Sequence, residues 1–66
     1  MPRPRPDPLS PREREVMRHV KRGHTDKETA SEMGISHRTV SGHMDSILKR
    51  LRARSRTHAL AIWLDV

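Results

Sequence analysis

The three residues Gly34, Ile35 and Ser36 restrict the fold more than any other part of the sequence. Gly34 can take the left-handed conformation that closes a helix, and the Ser36 hydroxyl can accept from the first orphan donors of the next one. A helix, a short turn and a second helix are therefore encoded here. After the turn, Val40, Met44, Ile47, Leu48 and Leu51 fall at i, i+4, i+7, i+8 and i+11, a stripe that has to be buried. The other side carries Arg38, Ser41, Gly42, Asp45 and Lys49, which can form hydrogen bonds or approach closely but cannot build a core. A helix with one edge packed on a scaffold and a polar edge turned outward suits the major groove of DNA.

The flanking sequence supplies the scaffold. Ser10-Pro11-Arg12-Glu13 combines an N-cap, a proline at the first helical position and a glutamate placed to close a capping box. This predicts a first helix from about Pro11 to Arg22, with Val16, Met17 and Val20 inward and Gly23 as its stop. Thr25-Asp26-Lys27-Glu28 repeats the box, so a short helix follows to about Met33, facing inward through Ala30 and Met33. Thr29 is the odd member, a polar residue where a larger aliphatic would pack better. The helix after the turn spans about His37 to Leu51, and Ser55 opens a fourth that runs to about Asp65. Ala59, Leu60, Ile62, Trp63 and Val66 give that last helix more apolar surface than one contact needs, so a dimer contact is expected through Leu60, Trp63 and Leu64. Residues 1–8, MPRPRPDP, read as an extended tail or linker ahead of a domain over residues 9–66. Arg3 and Arg5 fit linker composition better than a groove-entering arm.

Composition narrows the function. A chain of 66 residues is one domain that buries only about 60% of its unfolded surface, without room for both a core and an enzyme cleft. The net charge of +6 and pI near 11.4 point to a polyanionic partner. Cysteine is absent, so there is neither a disulfide framework nor a thiolate metal site. The longest apolar run, Ala59 to Leu64, is far short of the roughly 20 residues of a membrane span, and no signal-peptide core opens the chain. A cytoplasmic, nucleoid-associated protein is expected, without a membrane role. The histidines lack HExxH spacing, so no metal site and no cofactor are expected. Ser10, Ser36 and Ser55 are accounted for as caps, which leaves no candidate nucleophile and no enzyme.

LSPREREVM, the glycine at position 23, the run KETASEMGISHRTVSGHMDSILKRL and the closing RSRTHAL together resemble the LuxR/GerE-type helix-turn-helix domain of bacterial response regulators and quorum sensors. The likeness covers about Leu9 to Leu64. It implies an all-α, four-helix domain whose second and third helices form the helix-turn-helix, with the third in the major groove and the fourth used for dimerisation. Ser41, Gly42 and Asp45 fall on the family's base-contacting positions, and Thr39 and Lys49 on positions that hold the phosphate backbone. Val40, Ile47 and Leu51, with Ala30, Gly34 and Ile35 in the turn, fall on core positions. Arg52 and Ala53 stand where members commonly carry a glycine and a small aliphatic, so a differently shaped or strained turn is expected there.

The chain contains neither Asn nor Gln, the usual bidentate partners of adenine. Direct reading is expected from Arg38 on guanine, Asp45 on the cytosine amino group, and Thr39 or Met44 on a thymine methyl. Arg38 is as well suited to a phosphate, and a helix-face ion pair with Lys49 is the somewhat stronger expectation for Asp45. Gly42 costs about 1 kcal/mol in mid-helix, which close approach to DNA or tolerance at an exposed position would explain. Lys49, Arg50, Arg52, Arg54 and Arg56 form a basic run suited to phosphates. The expected DNA-binding set is Lys27, Arg38, Thr39, Ser41, Gly42, His43, Asp45, Ser46, Lys49, Arg50, Arg54 and Arg56. Double-stranded DNA and a second copy of the chain are the expected partners, with RNA polymerase a further candidate. Two alternatives remain, a promoter-binding module like sigma-factor region 4 and a small protein-interaction module whose basic surface is incidental. The capped fourth helix favours the first reading over the sigma-like one. No sensor segment is present, so the chain is expected to be either the excised output domain of a larger regulator or a stand-alone one.

Overall fold

The computed structural model describes residues 7–65. Among the described residues four helices follow one another: α1 (Pro11–Lys21), α2 (Asp26–Met33), α3 (His37–Leu51) and α4 (Arg56–Leu64). No strand occurs among the described residues. Residues 1–6 and 66, and with them Arg3, Arg5 and Val66, lie outside the described residues.

Each helix starts the same way. Ser10, Thr25, Ser36 and Ser55 take extended backbone angles, and their hydroxyls accept from the N–H groups of Glu13, Glu28, Thr39 and His58. A cap of this kind contributes about 1 kcal/mol. In α1 and α2 the box is reciprocal: Glu13 accepts from the Ser10 N–H at 2.8 Å and Glu28 from the Thr25 N–H at 2.9 Å. Those hydrogen bonds, from the Thr25 N–H first, hold the Glu28 carboxyl below its ordinary value.

The helix ends also share one solution. The N–H groups of His24, Ile35 and Ala53 reach back to the carbonyls of His19, Ala30 and Leu48 at 3.0, 3.0 and 2.9 Å, each across a left-handed residue. This is the Schellman closure. At the ends of α1 and α2 the left-handed residue is a glycine, but at the end of α3 it is Arg52, with φ 53°. A side chain there costs about 1–2 kcal/mol of backbone strain. Arg52→Gly is therefore expected to stabilise the domain by about 0.5–1 kcal/mol, after allowing for the greater freedom of glycine in the unfolded chain. A urea midpoint that stays put or falls would show that the strain is absorbed elsewhere.

Between these ends the helices pack around Leu9, Val16, Met17, Val20, Ala30, Val40, Met44, Ile47, Leu51 and Ala59. Both α1 and α3 pack on all three other helices, whereas α2 and α4 do not pack on each other. Thr29 proves to fit: it is 1% exposed, and its hydroxyl donates to the Thr25 carbonyl at 2.8 Å, so no buried polar atom is left unsatisfied there. Leu60, Ile62 and Trp63 of α4 lean on the same core. The Trp63 indole N–H donates to the Asp7 carboxylate at 3.0 Å, and Asp7 also accepts from the Leu9 N–H at 2.9 Å. Asp7, although part of the proline-rich stretch, is thus tied into the folded unit.

Candidate nucleic-acid interface

The outward side of α3 follows from its period. At about 100° per residue, Asp45, Arg38, Lys49, Gly42 and Ser46 fall within an arc of roughly 100°, opposite the buried Val40, Met44, Ile47 and Leu51. All five residues of the arc are exposed. Ser41 and His43 stand half-buried at its two margins, and Thr39 is exposed in the first turn. The hydroxyls of Ser36 and Thr39 lie 2.8 Å apart, which fixes the Thr39 side chain against the helix start. Lys27, on α2, is exposed as well.

Gly42 sits in the middle of this arc. A Cβ built there meets nothing within 4 Å, so the packing of this chain does not require glycine at that position. The result is a bare strip of backbone flanked by Arg38 and Ser46 one turn away on either side.

The charges divide into two groups. Glu13, only 3% exposed, takes the Arg50 guanidinium at 3.2 Å, so Arg50 already serves as counter-charge to a buried carboxylate. Burial pushes the Glu13 carboxyl up, but the hydrogen bonds from Ser10 and the Arg50 charge together outweigh it and leave it below the ordinary 4.5. Arg56 pairs with Asp26, whose other carboxylate oxygen is 3.9 Å from His37. Asp26, His37 and Arg56 are the first residues of α2, α3 and α4, so the side chains that open α3 and α4 both reach toward the carboxylate that opens α2. Arg38, Lys49, Arg52 and Arg54 are exposed and make none of the ion pairs found among the described residues. Arg52 and Arg54, with Ser55 and His58, line an open notch after α3. The expected Asp45–Lys49 ion pair is not formed. An exposed pair of that kind gains little against water.

Of the residues expected at a dimer contact, Leu60 and Trp63 are half-buried on their own core, and Leu64 is 55% exposed. The structure also groups residues that spacing along the chain did not single out. His19 Nδ1 and His24 Nδ1 lie 3.0 Å apart, and Glu32 Oε2 is 3.2 Å from the first and 2.8 Å from the second. The signal available in the sequence was a pair of histidines flanking the Gly23 turn; locating Glu32 beside them required the packing of α2 on α1.

Four helices, a left-handed turn between the second and third, and an exposed polar arc on the third define a helix-turn-helix DNA-binding domain. The profile of the GerE family, described as bacterial regulatory proteins of the luxR family, matches residues 7–63. The chain belongs to the luxR family. It is 41% identical over 56 residues to the probable HTH-type transcriptional regulator GfsR of Streptomyces halstedii, covering 85% of this chain and 23% of that protein. It is 42% identical over 52 residues to the HTH-type transcriptional activator RamA of Corynebacterium glutamicum, covering 79% and 18%. With the response regulator protein TodT of Pseudomonas putida it shares 40% identity over 47 residues, covering 71% and 21%. The chain thus spans about a fifth of the length of these relatives. Among the described residues, no helix is long and apolar enough to cross a membrane.

Proposed function

We propose that this domain binds double-stranded DNA sequence-specifically in the control of bacterial transcription, with α3 laid in the major groove. The carrying observation is the glycine at the centre of the exposed arc of α3, required by nothing inside the protein, with Arg38 and Lys49 beside it. A helix backbone without a Cβ at that point can come close to base edges. In this arrangement Arg38 donates to guanine and Asp45, which makes no ion pair among the described residues, accepts from a cytosine amino group. Ser41 and His43 at the margins of the arc, Ser46 within it and Thr39 in the first turn supply contacts to sugar and phosphate. Lys49, Arg52, Arg54 and Lys27 supply phosphate contacts. Two copies are proposed to meet through α4, with Leu64 and the outer edges of Leu60 and Trp63 in contact, so that the operator carries two half-sites. The relatives named as transcriptional regulators support the regulatory reading.

Gly42→Ala tests the proposal, because it separates stability from recognition. Alanine adds helix propensity at an open position and is expected to raise stability by about 0.5–1 kcal/mol. The same methyl group would stand between helix and bases, and affinity for an operator selected from a random DNA pool is expected to fall at least tenfold. Equal or tighter binding by the stabilised variant, or a footprint that leaves α3 unaffected in chemical-shift mapping, would overturn the placement. Sedimentation of the DNA complex at one copy per operator would overturn the dimer.

A further inference from the structure

We propose that His19, His24 and Glu32 form a binding site for a divalent transition-metal ion, with zinc the ion that best fits the donor set. Two imidazole nitrogens and a carboxylate oxygen, with room for water, form an N2O set typical of zinc sites that keep an open position. The three ligand atoms come from the end of α1, the turn after it and α2.

The first argument is proton counting. Three close contacts join the three atoms, at 3.0, 3.2 and 2.8 Å. A neutral or charged imidazole carries at most one proton on Nδ1, and that proton points at one acceptor. If both nitrogens are protonated and donate to Glu32, two N–H dipoles are held side by side, their nitrogens 3.0 Å apart with no bond between them. If one is not, its lone pair faces either the other ring or the carboxylate without a donor between them. Protons thus satisfy two of the three contacts at most, whereas one cation bonded to all three atoms removes the conflict.

The second argument is size. A triangle with edges of 2.8–3.2 Å accommodates an ion about 2.1 Å from each corner if the ion stands roughly 1.2 Å out of its plane. Glu32 is half-exposed and His24 one-quarter exposed, so that side is open for water to complete the coordination. His19 is buried, which keeps its ring in place while the outer ligands close on the ion. Binding would tie α2 to the end of α1 and so brace the scaffold on which α3 rests.

The test uses the whole 66-residue chain and zinc ion alone. One ion should bind per chain, the thermal midpoint should rise with zinc concentration, and the imidazole Nδ1 resonances of His19 and His24 should shift while those of His37, His43 and His58 stay in place. His24→Gln and Glu32→Gln, both at the surface, should each weaken zinc binding at least tenfold, the loss that removing even an outer partner of a metal ligand brings. Unchanged affinity in these two variants, shifts confined to the other histidines, or no binding at submillimolar zinc would each overturn the proposal. The last outcome would leave an ordinary hydrogen-bonded His24–Glu32 pair.

Discussion

Replacing Arg50 by methionine is expected to lower the unfolding free energy by about 2–3 kcal/mol, out of the roughly 3–10 kcal/mol that a domain of this size holds. The cause is the carboxylate left behind. Glu13 is 3% exposed, and Arg50 is its one ion-pair partner among the described residues. Breaking a buried pair from one side costs about 3–5 kcal/mol, and the lower figure here allows for the exposed half of the Arg50 side chain. Because the Glu13 carboxyl is held below 4.5 in the folded chain, its contribution is complete above that value and is lost as pH falls through the folded one. Without Arg50 the folded value rises, so acid unfolding should begin at higher pH. The double variant Glu13→Gln/Arg50→Met should be less destabilised than the sum of the single ones, since no charge is then buried alone. Strictly additive losses in urea unfolding would mean that the two side chains are not coupled.

The second large effect is on DNA. Lys49→Ala/Arg54→Ala should weaken binding to every duplex alike, by roughly one to two orders of magnitude at low ionic strength. The slope of log affinity against log salt should fall by about 1.8, the counterion release of two phosphate contacts. Arg56→Ala should change that slope much less. Its guanidinium is already neutralised by Asp26, and losing it frees a carboxylate at the start of α2. Filter binding or fluorescence anisotropy across a salt series measures both variants. An unaltered slope in the double variant would remove Lys49 and Arg54 from the phosphate contacts, and an Arg56→Ala slope as low as the double variant's would mean that the Asp26 pair opens on DNA.

These two predictions rest on different kinds of information in the sequence. The hydroxyl caps and the buried stripe of α3 were legible because each is a pattern among neighbours: a hydroxyl bonds an N–H three residues on, and a helix repeats its face every turn. The exposed arc of α3 follows from the same period. The pairs Glu13–Arg50, Asp26–Arg56 and Asp7–Trp63 join residues 37, 30 and 56 positions apart, and nothing local to either partner announces the other. They exist because α1 and α3 pack together, because the Arg56 side chain at the start of α4 reaches the start of α2, and because Asp7 lies beside Trp63 of α4. The basic run after α3 therefore looked uniform in sequence, although the fold commits Arg50 and Arg56 to carboxylates and leaves Lys49, Arg52 and Arg54 outward. The His19, His24 and Glu32 cluster escaped for the same reason, since α2 has to fold back on α1 before the three side chains meet.

Trp63 is the chain's sole tryptophan, and its indole is tethered to the carboxylate of Asp7. The domain therefore contains a built-in optical gauge. Ultraviolet emission, without any added dye, should report whether the Asp7 carboxylate keeps its place on the indole, so a disturbance of that bond or a protein docking against the last helix would register at one chromophore.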